Sequence, residues 1–85
     1  MEVYVTVLEW GGRPRYLPVC AFSEKHQEET LAKIKADGGR VLYESKVSLA
    51  DERAITAIPA LVNTYVSQAN DKGEFDPEGL DTLLN

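Results

Sequence analysis

Serine, histidine, cysteine and closely spaced carboxylates are the residues of this chain that do chemistry elsewhere. Ser23, His26 and Glu29 follow one another at three-residue intervals, and a serine near a histidine is the beginning of a nucleophile–base pair. The same serine stands directly before Glu24, where its hydroxyl is wanted to cap the first backbone N–H groups of a helix. A hydroxyl so engaged, with no preorganised oxyanion site around it, reads as a helix start and not as a catalyst. Cys20, the one cysteine, sits between Val19 and Ala21 with no basic neighbour in sequence to lower its pKa. It reads as a small core residue, not a reactive thiol.

The stretch Asn70-Asp71-Lys72-Gly73-Glu74-Phe75-Asp76 has the look of part of a calcium-binding EF-hand loop, glycine followed by an aromatic two residues later. If Gly73 took the sharp-turn position, Gln68 would replace the leading aspartate, Lys72 a ligand and Gly79 the bidentate glutamate. Calcium needs six or more oxygens, so these substitutions leave an acidic loop and a helix cap. With one cysteine and one histidine there is no multi-cysteine zinc spacing either. We expect no catalytic residues, no metal and no cofactor.

Two basic and aromatic groupings remain. Gly11-Gly12-Arg13-Pro14-Arg15 places two guanidinium groups near a turn, suited to gripping phosphate or a carboxylate-rich patch. It lacks the strand-to-helix context of a nucleotide-binding loop. Tyr4, Trp10, Tyr16 and Tyr43 raise the alternative of a sheet face that stacks bases, with Arg13, Arg15 and Arg40 beside it.

Charge argues against that alternative. Residues 1–47 carry seven acids and seven bases. Residues 48–85 carry seven acids against Arg53 and Lys72, which accounts for the whole net charge of −5. Five of those acids, Asp71, Glu74, Asp76, Glu78 and Asp81, lie in the last fifteen residues. Nucleic-acid binding depends on lysine and arginine displacing counterions, whereas this surface attracts a basic one. The start of the chain has neither a basic n-region nor a long apolar run, and no stretch reaches the ~20 apolar residues of a membrane span. The expected chain is a single domain over residues 1–85, soluble, cytoplasmic and not membrane-bound.

The elements that position these residues follow from periodicity. Glu2 to Trp10 reads as a strand with Val3, Val5 and Val7 on one face and Tyr4, Thr6, Leu8 and Trp10 on the other, apolar on both sides as a central strand is. Tyr16 to Phe22 is a second strand, placed at an edge by Pro18. A helix capped by Ser23 runs to about Asp37 and ends at Gly38-Gly39. A third strand covers Arg40 to Val47, with Val41, Tyr43 and Val47 on one side and Leu42, Glu44 and Lys46 on the other. Ser48 and Asp51 have capping-box spacing, and a long helix follows to about Asn70 along Ala54, Ile55, Ile58, Leu61, Val62, Tyr65 and Val66. Pro59 either kinks that helix or restarts it; the continuous stripe favours the kink. Asp76-Pro77 opens a last helix carrying Leu80, Leu83 and Leu84, with Gly79 weakening it. The expected fold is α+β, in the order β-β-α-β-α-α. Its three-stranded antiparallel sheet has the order 2-1-3, with helices packed on one face, leaving Tyr4, Leu8 and Trp10 open on the other.

A small acidic protein without catalytic groups fits a non-enzymatic protein-binding module. In overall composition, though in no motif, it resembles phage-encoded inhibitors of host defence enzymes, anti-CRISPR proteins included. The expected partner is another protein with a basic surface, met by the five C-terminal acids together with Tyr4, Trp10, Arg13 and Arg15. The mechanism would be steric and electrostatic competition with nucleic acid for a nucleic-acid-binding enzyme. The alternative is a homodimeric structural or regulatory subunit. Direct nucleic-acid binding ranks last.

Overall fold

A computed structural model describes residues 2–51 and 55–85. The element order is β1 (Glu2–Glu9), β2 (Tyr16–Ala21), α1 (Glu24–Ala36), β3 (Arg40–Ser48), α2 (Ala57–Lys72) and α3 (Pro77–Leu84). The three strands form an antiparallel sheet in the order β2-β1-β3, the expected α+β topology. β1 is central because both its faces are apolar enough to be covered. Val3, Val5, Val7, Thr6 and Leu8 are all fully buried, and each buried aliphatic side chain contributes about 1.5–3 kcal/mol.

The two faces have different covers. Val3, Val5 and Val7 pack with Tyr16, Tyr43 and Val47 of the flanking strands against Val62, Val66 and Ala69 of α2 and Leu80 of α3. Thr6 and Leu8 point the other way, the alternation of a strand, and there α1 closes over them. Its buried residues are Gln27 and Leu31, and Gln27 Nε2 donates to Thr6 Oγ1 at 2.9 Å. The helices therefore divide between the faces, α2 and α3 on one and α1 on the other. Leu8 is not part of an open surface. A sheet with two apolar faces needs two covers, and the narrow stripe of α1 supplies the second.

β3 holds the sheet's one register shift. Pairing runs evenly from Glu2 opposite Ser48 to Val7 opposite Tyr43, then slips so that Leu8 faces Val41 and Glu9 faces Arg40. Leu42 is the extra residue of this β-bulge. The slip corrects the strict alternation expected for β3. Val41 lies opposite Leu8, on the α1 side, while Leu42 packs against the α2–α3 core beside Tyr43. Without it Glu9 would face Val41.

Local signals set most of the ends. Ser23 Oγ accepts from the His26 N–H at 3.2 Å at the start of α1, and Gly38 follows the helix with φ +96°, a left-handed backbone that glycine takes without strain. Asp76 caps α3 by accepting from the Glu78 N–H, with Pro77 first in the helix. α2 begins only at Ala57, after a 3₁₀ turn at Ile55 and Thr56, so Pro59 falls in its first turn and the helix starts there instead of kinking. A proline at this depth removes no intrahelical hydrogen bond, since the first N–H groups have no partner within the helix. Ser48 ends β3, and the predicted helical residues Glu52, Arg53 and Ala54 lie outside the described residues.

Candidate functional site: an arginine cleft and an apolar helical face

At the turn end of the sheet two arginines bind one carboxylate, and a third lines the same cleft. Glu9 closes β1, and its Oε2 accepts from Arg15 Nε at 3.1 Å and Nη2 at 3.0 Å. Its Oε1 accepts from Arg40 Nη2 at 3.0 Å. Arg15 Nη1 donates in addition to the Gly73 carbonyl at 3.0 Å, at the end of α2. Arg15 comes from the hairpin and Arg40 from the start of β3, which the bulge sets opposite Glu9. Arg13, Trp10, Gly11, Gly12 and Gly38 complete a shallow cleft of about 630 Å³. The structure thus brings the predicted Trp10, Arg13 and Arg15 together. It adds Glu9 and Arg40 to them, and the pairing that joins these two was not visible in spacing.

The second feature is the outward side of α2 and α3. Val62, Val66 and Ala69 face the core, so the opposite stripe of the helix, Ala57, Leu61, Thr64 and Gln68, faces out at helical spacing. With Ala60, Tyr65 and Leu83 these residues line a shallow, mostly apolar groove. Leu61 is 37% exposed and Leu83 is 55% exposed, so Leu61, expected in the buried stripe, belongs to the surface instead. The cleft that continues along α2 is lined by Tyr65, Gln68, Ala69, Lys72, Glu74 and Asp76. Asp71 stands one turn beyond Gln68 on the same side of α2.

Four of the five C-terminal acids fall into two groups. Glu74 and Asp76 border the outward side of α2, while Glu78 and Asp81 line a cleft between α3 and β3 with Leu42, Tyr43, Glu44, Pro77 and Thr82. Two of them have structural work. Asp76 caps α3, and Asp81 Oδ1 accepts from the Tyr43 hydroxyl at 2.9 Å and from Asn85 Nδ2 at 2.9 Å. Burial pushes the Tyr43 phenol up; a hydrogen bond with Ser45 lowers it in part, and the Asp81 carboxylate adds to the rise. The carboxylates of Asp71, Glu74 and Glu78 take part in no ion pair among the described residues.

The remaining candidates lie apart. Tyr4 donates to Glu2 Oε2 at 3.2 Å and lines a cleft with Glu24, Gln27, Glu28 and Lys46. It is separated from Trp10 by the length of β1, so the aromatic side chains form no continuous base-stacking platform. Tyr16 and Phe75 instead meet at 5.7 Å, and Tyr65 meets Phe75 edge-on at 5.9 Å, inside the packing of α2. Burial pushes the Cys20 thiol up, which leaves it mostly protonated and a poor nucleophile. Among the described residues no three His, Cys, Asp or Glu side chains come together as metal ligands, and no helix is long and apolar enough to cross a membrane. No protein-family model, curated protein or solved structure matches the chain.

Proposed function

We propose that this chain is a non-enzymatic protein-binding module whose α2–α3 face receives a basic amphipathic segment of a partner protein. The observation that carries this reading is the exposed apolar groove of Leu61, Tyr65 and Leu83, bordered by Glu74 and Asp76. An exposed apolar stripe of this kind supplies the burial on which association rests. The carboxylates at its edge select lysine and arginine at the rim of the partner and speed encounter. A helix laid into a groove with anchors at i, i+3/i+4 and i+7 is the form of recognition that the stripe fits. In the finer version of this reading the partner is a nucleic-acid-binding enzyme. The acidic rim then competes with phosphate for the partner's basic residues, and the module acts as an inhibitor or modulator.

The test uses a labelled helical peptide with leucines at i and i+4 flanked by lysines, compared with the same peptide carrying glutamates. Fluorescence anisotropy should show the basic peptide binding and the acidic one failing, with affinity falling as salt rises. Leu83→Glu should lower the affinity at least tenfold, and Asp71→Asn with Glu74→Gln should lower it while leaving thermal unfolding unchanged. Equal affinity for the two peptides sinks the proposal. So does a dimer in light scattering that the Leu83→Glu variant abolishes, because the face then belongs to a second copy. A pairing of two β3 edges is disfavoured by the exposed Arg40, Glu44 and Lys46 along that strand, charges of the kind that keep sheet edges apart.

A further inference from the structure

The arginine cleft is a separate site from the α2–α3 groove, and we propose that it binds a phosphomonoester group. Three observations converge on this ligand. First, two of the three guanidinium groups are held before any ligand arrives. Glu9 fixes Arg15 through two hydrogen bonds and Arg40 through one, and the Gly73 carbonyl takes a further Arg15 N–H. Anchoring of this kind removes much of the ordering cost that long cationic side chains meet on binding.

Second, the charge is left unbalanced by a defined amount. Arg13, Arg15 and Arg40 against Glu9 leave two positive charges in a protein whose net charge is −5. A phosphomonoester carries about −1.5 to −2 at neutral pH and matches that excess. A carboxylate or a phosphodiester, with one charge each, does not. Screening over about 8 Å at physiological salt lets the local arginines govern a small ligand. An extended nucleic acid would run on from the cleft across the acidic remainder of the surface.

Third, donors remain unused. A guanidinium has five N–H groups; Arg40 spends one of them, and Arg13 spends none among the described residues. Gly11 lines the cleft with open space where a side chain would stand, so nothing blocks approach to the backbone. Trp10 lies against Gly12, giving one wall of the cleft a flat apolar surface for the organic part of the ester. The bulge at Leu42 is what brings Arg40 to Glu9, and bulges commonly re-aim a side chain in this way.

The same chemistry is offered by a nucleoside monophosphate and by a phosphorylated peptide, and the experiment separates them. Two-dimensional NMR at low chloride would follow the Gly11 and Gly12 amides, the Trp10 indole N–H and the arginine Nε–H groups. Inorganic phosphate, adenosine monophosphate and a phosphoserine peptide would be titrated in turn. Saturable shifts confined to these signals are expected, with dimethyl phosphate, a monoanion, binding at least tenfold more weakly. Stronger binding of the nucleotide or of the peptide than of inorganic phosphate identifies the source. Arg13→Ala, in an exposed turn, should weaken binding about tenfold without altering the rest of the spectrum. The proposal is overturned by shifts that never saturate, by equal binding of dimethyl phosphate, by indifference to Arg13→Ala, or by tighter binding of a plain DNA or RNA oligonucleotide.

Discussion

Asn70 and Tyr16 are joined by two hydrogen bonds. The Tyr16 N–H donates to Asn70 Oδ1 at 2.8 Å, and Asn70 Nδ2 donates to the Tyr16 carbonyl at 3.1 Å. Tyr16 is the first residue of the edge strand β2, and these backbone groups point away from β1. One side chain of α2 thus does for one residue what a fourth strand would do, and ties the C-terminal end of α2 to the sheet edge. Pro18, two residues on, points the same way, so its missing N–H falls on the open side where no donor is needed.

Replacing Asn70 should therefore cost more than a surface position does. Asn70→Ala leaves two half-buried backbone groups without these partners and should lower stability by about 1–3 kcal/mol. Asn70→Asp keeps an acceptor for the Tyr16 N–H but sets a carboxylate against its carbonyl, and should be no better at neutral pH. Urea unfolding measures both. A loss below about 0.5 kcal/mol for Asn70→Ala, the usual range of surface changes, would show that water replaces the side chain freely.

The Thr6–Gln27 pair under α1 should show the asymmetry of buried hydrogen bonds. Thr6 is fully buried and Gln27 nearly so. Thr6→Val strands the Gln27 amide and should cost about 1–3 kcal/mol, whereas Thr6→Val with Gln27→Leu removes both polar partners and should recover much of the loss. Additive losses in the double-mutant cycle would contradict this account.

Gly79 is predicted to resist improvement. Alanine is worth about 1 kcal/mol over glycine in an exposed helix interior. A Cβ at Gly79 would run into the Tyr65 hydroxyl and press on the Asp76 carboxylate. Tyr65 is held there by donating to the Asp76 carbonyl at 2.8 Å. Gly79→Ala should lower the thermal midpoint, and adding Tyr65→Phe should restore part of it. A simple rise in the midpoint for Gly79→Ala would refute the close approach.

Alkaline pH should destabilise the fold in part through Tyr43. Its phenol is raised from a usual value of about 10 by burial first and by Asp81 after it, so the folded state holds this proton more tightly than the unfolded chain. The contribution is whole below pH about 10 and is lost as pH climbs through the raised folded value. Tyr43→Phe removes the bond to Asp81, costing about 0.5–1.5 kcal/mol at neutral pH. It should also flatten the decline in stability between pH 9 and 11, followed by denaturant midpoints. An unchanged slope would assign the decline to Tyr4, Tyr65 and Cys20, whose phenols and thiol are raised as well.

What the amino-acid order determined by itself is whatever rests on neighbours along the chain. Alternating valines made β1 a central strand, Pro18 sent β2 to an edge, Ser23 and Asp76 capped the starts of α1 and α3, and Gly38 and Gly73 followed the ends of α1 and α2 with left-handed backbone. These are short-range effects of sterics, hydrogen bonding and periodicity, so the strand order followed from them. The tertiary structure alone decided where side chains distant in sequence meet. An extra residue at Leu42 put Arg40 across from Glu9, α1 crossed to the second face and buried Leu8, and Leu61 turned outward because Val62 and Val66 took the core. A one-residue slip changes no composition and no local propensity, yet it changes every partner beyond it. For that reason the arginine cleft, whose guanidinium groups were legible singly as Arg13, Arg15 and Arg40, became a site only when the sheet closed around Glu9.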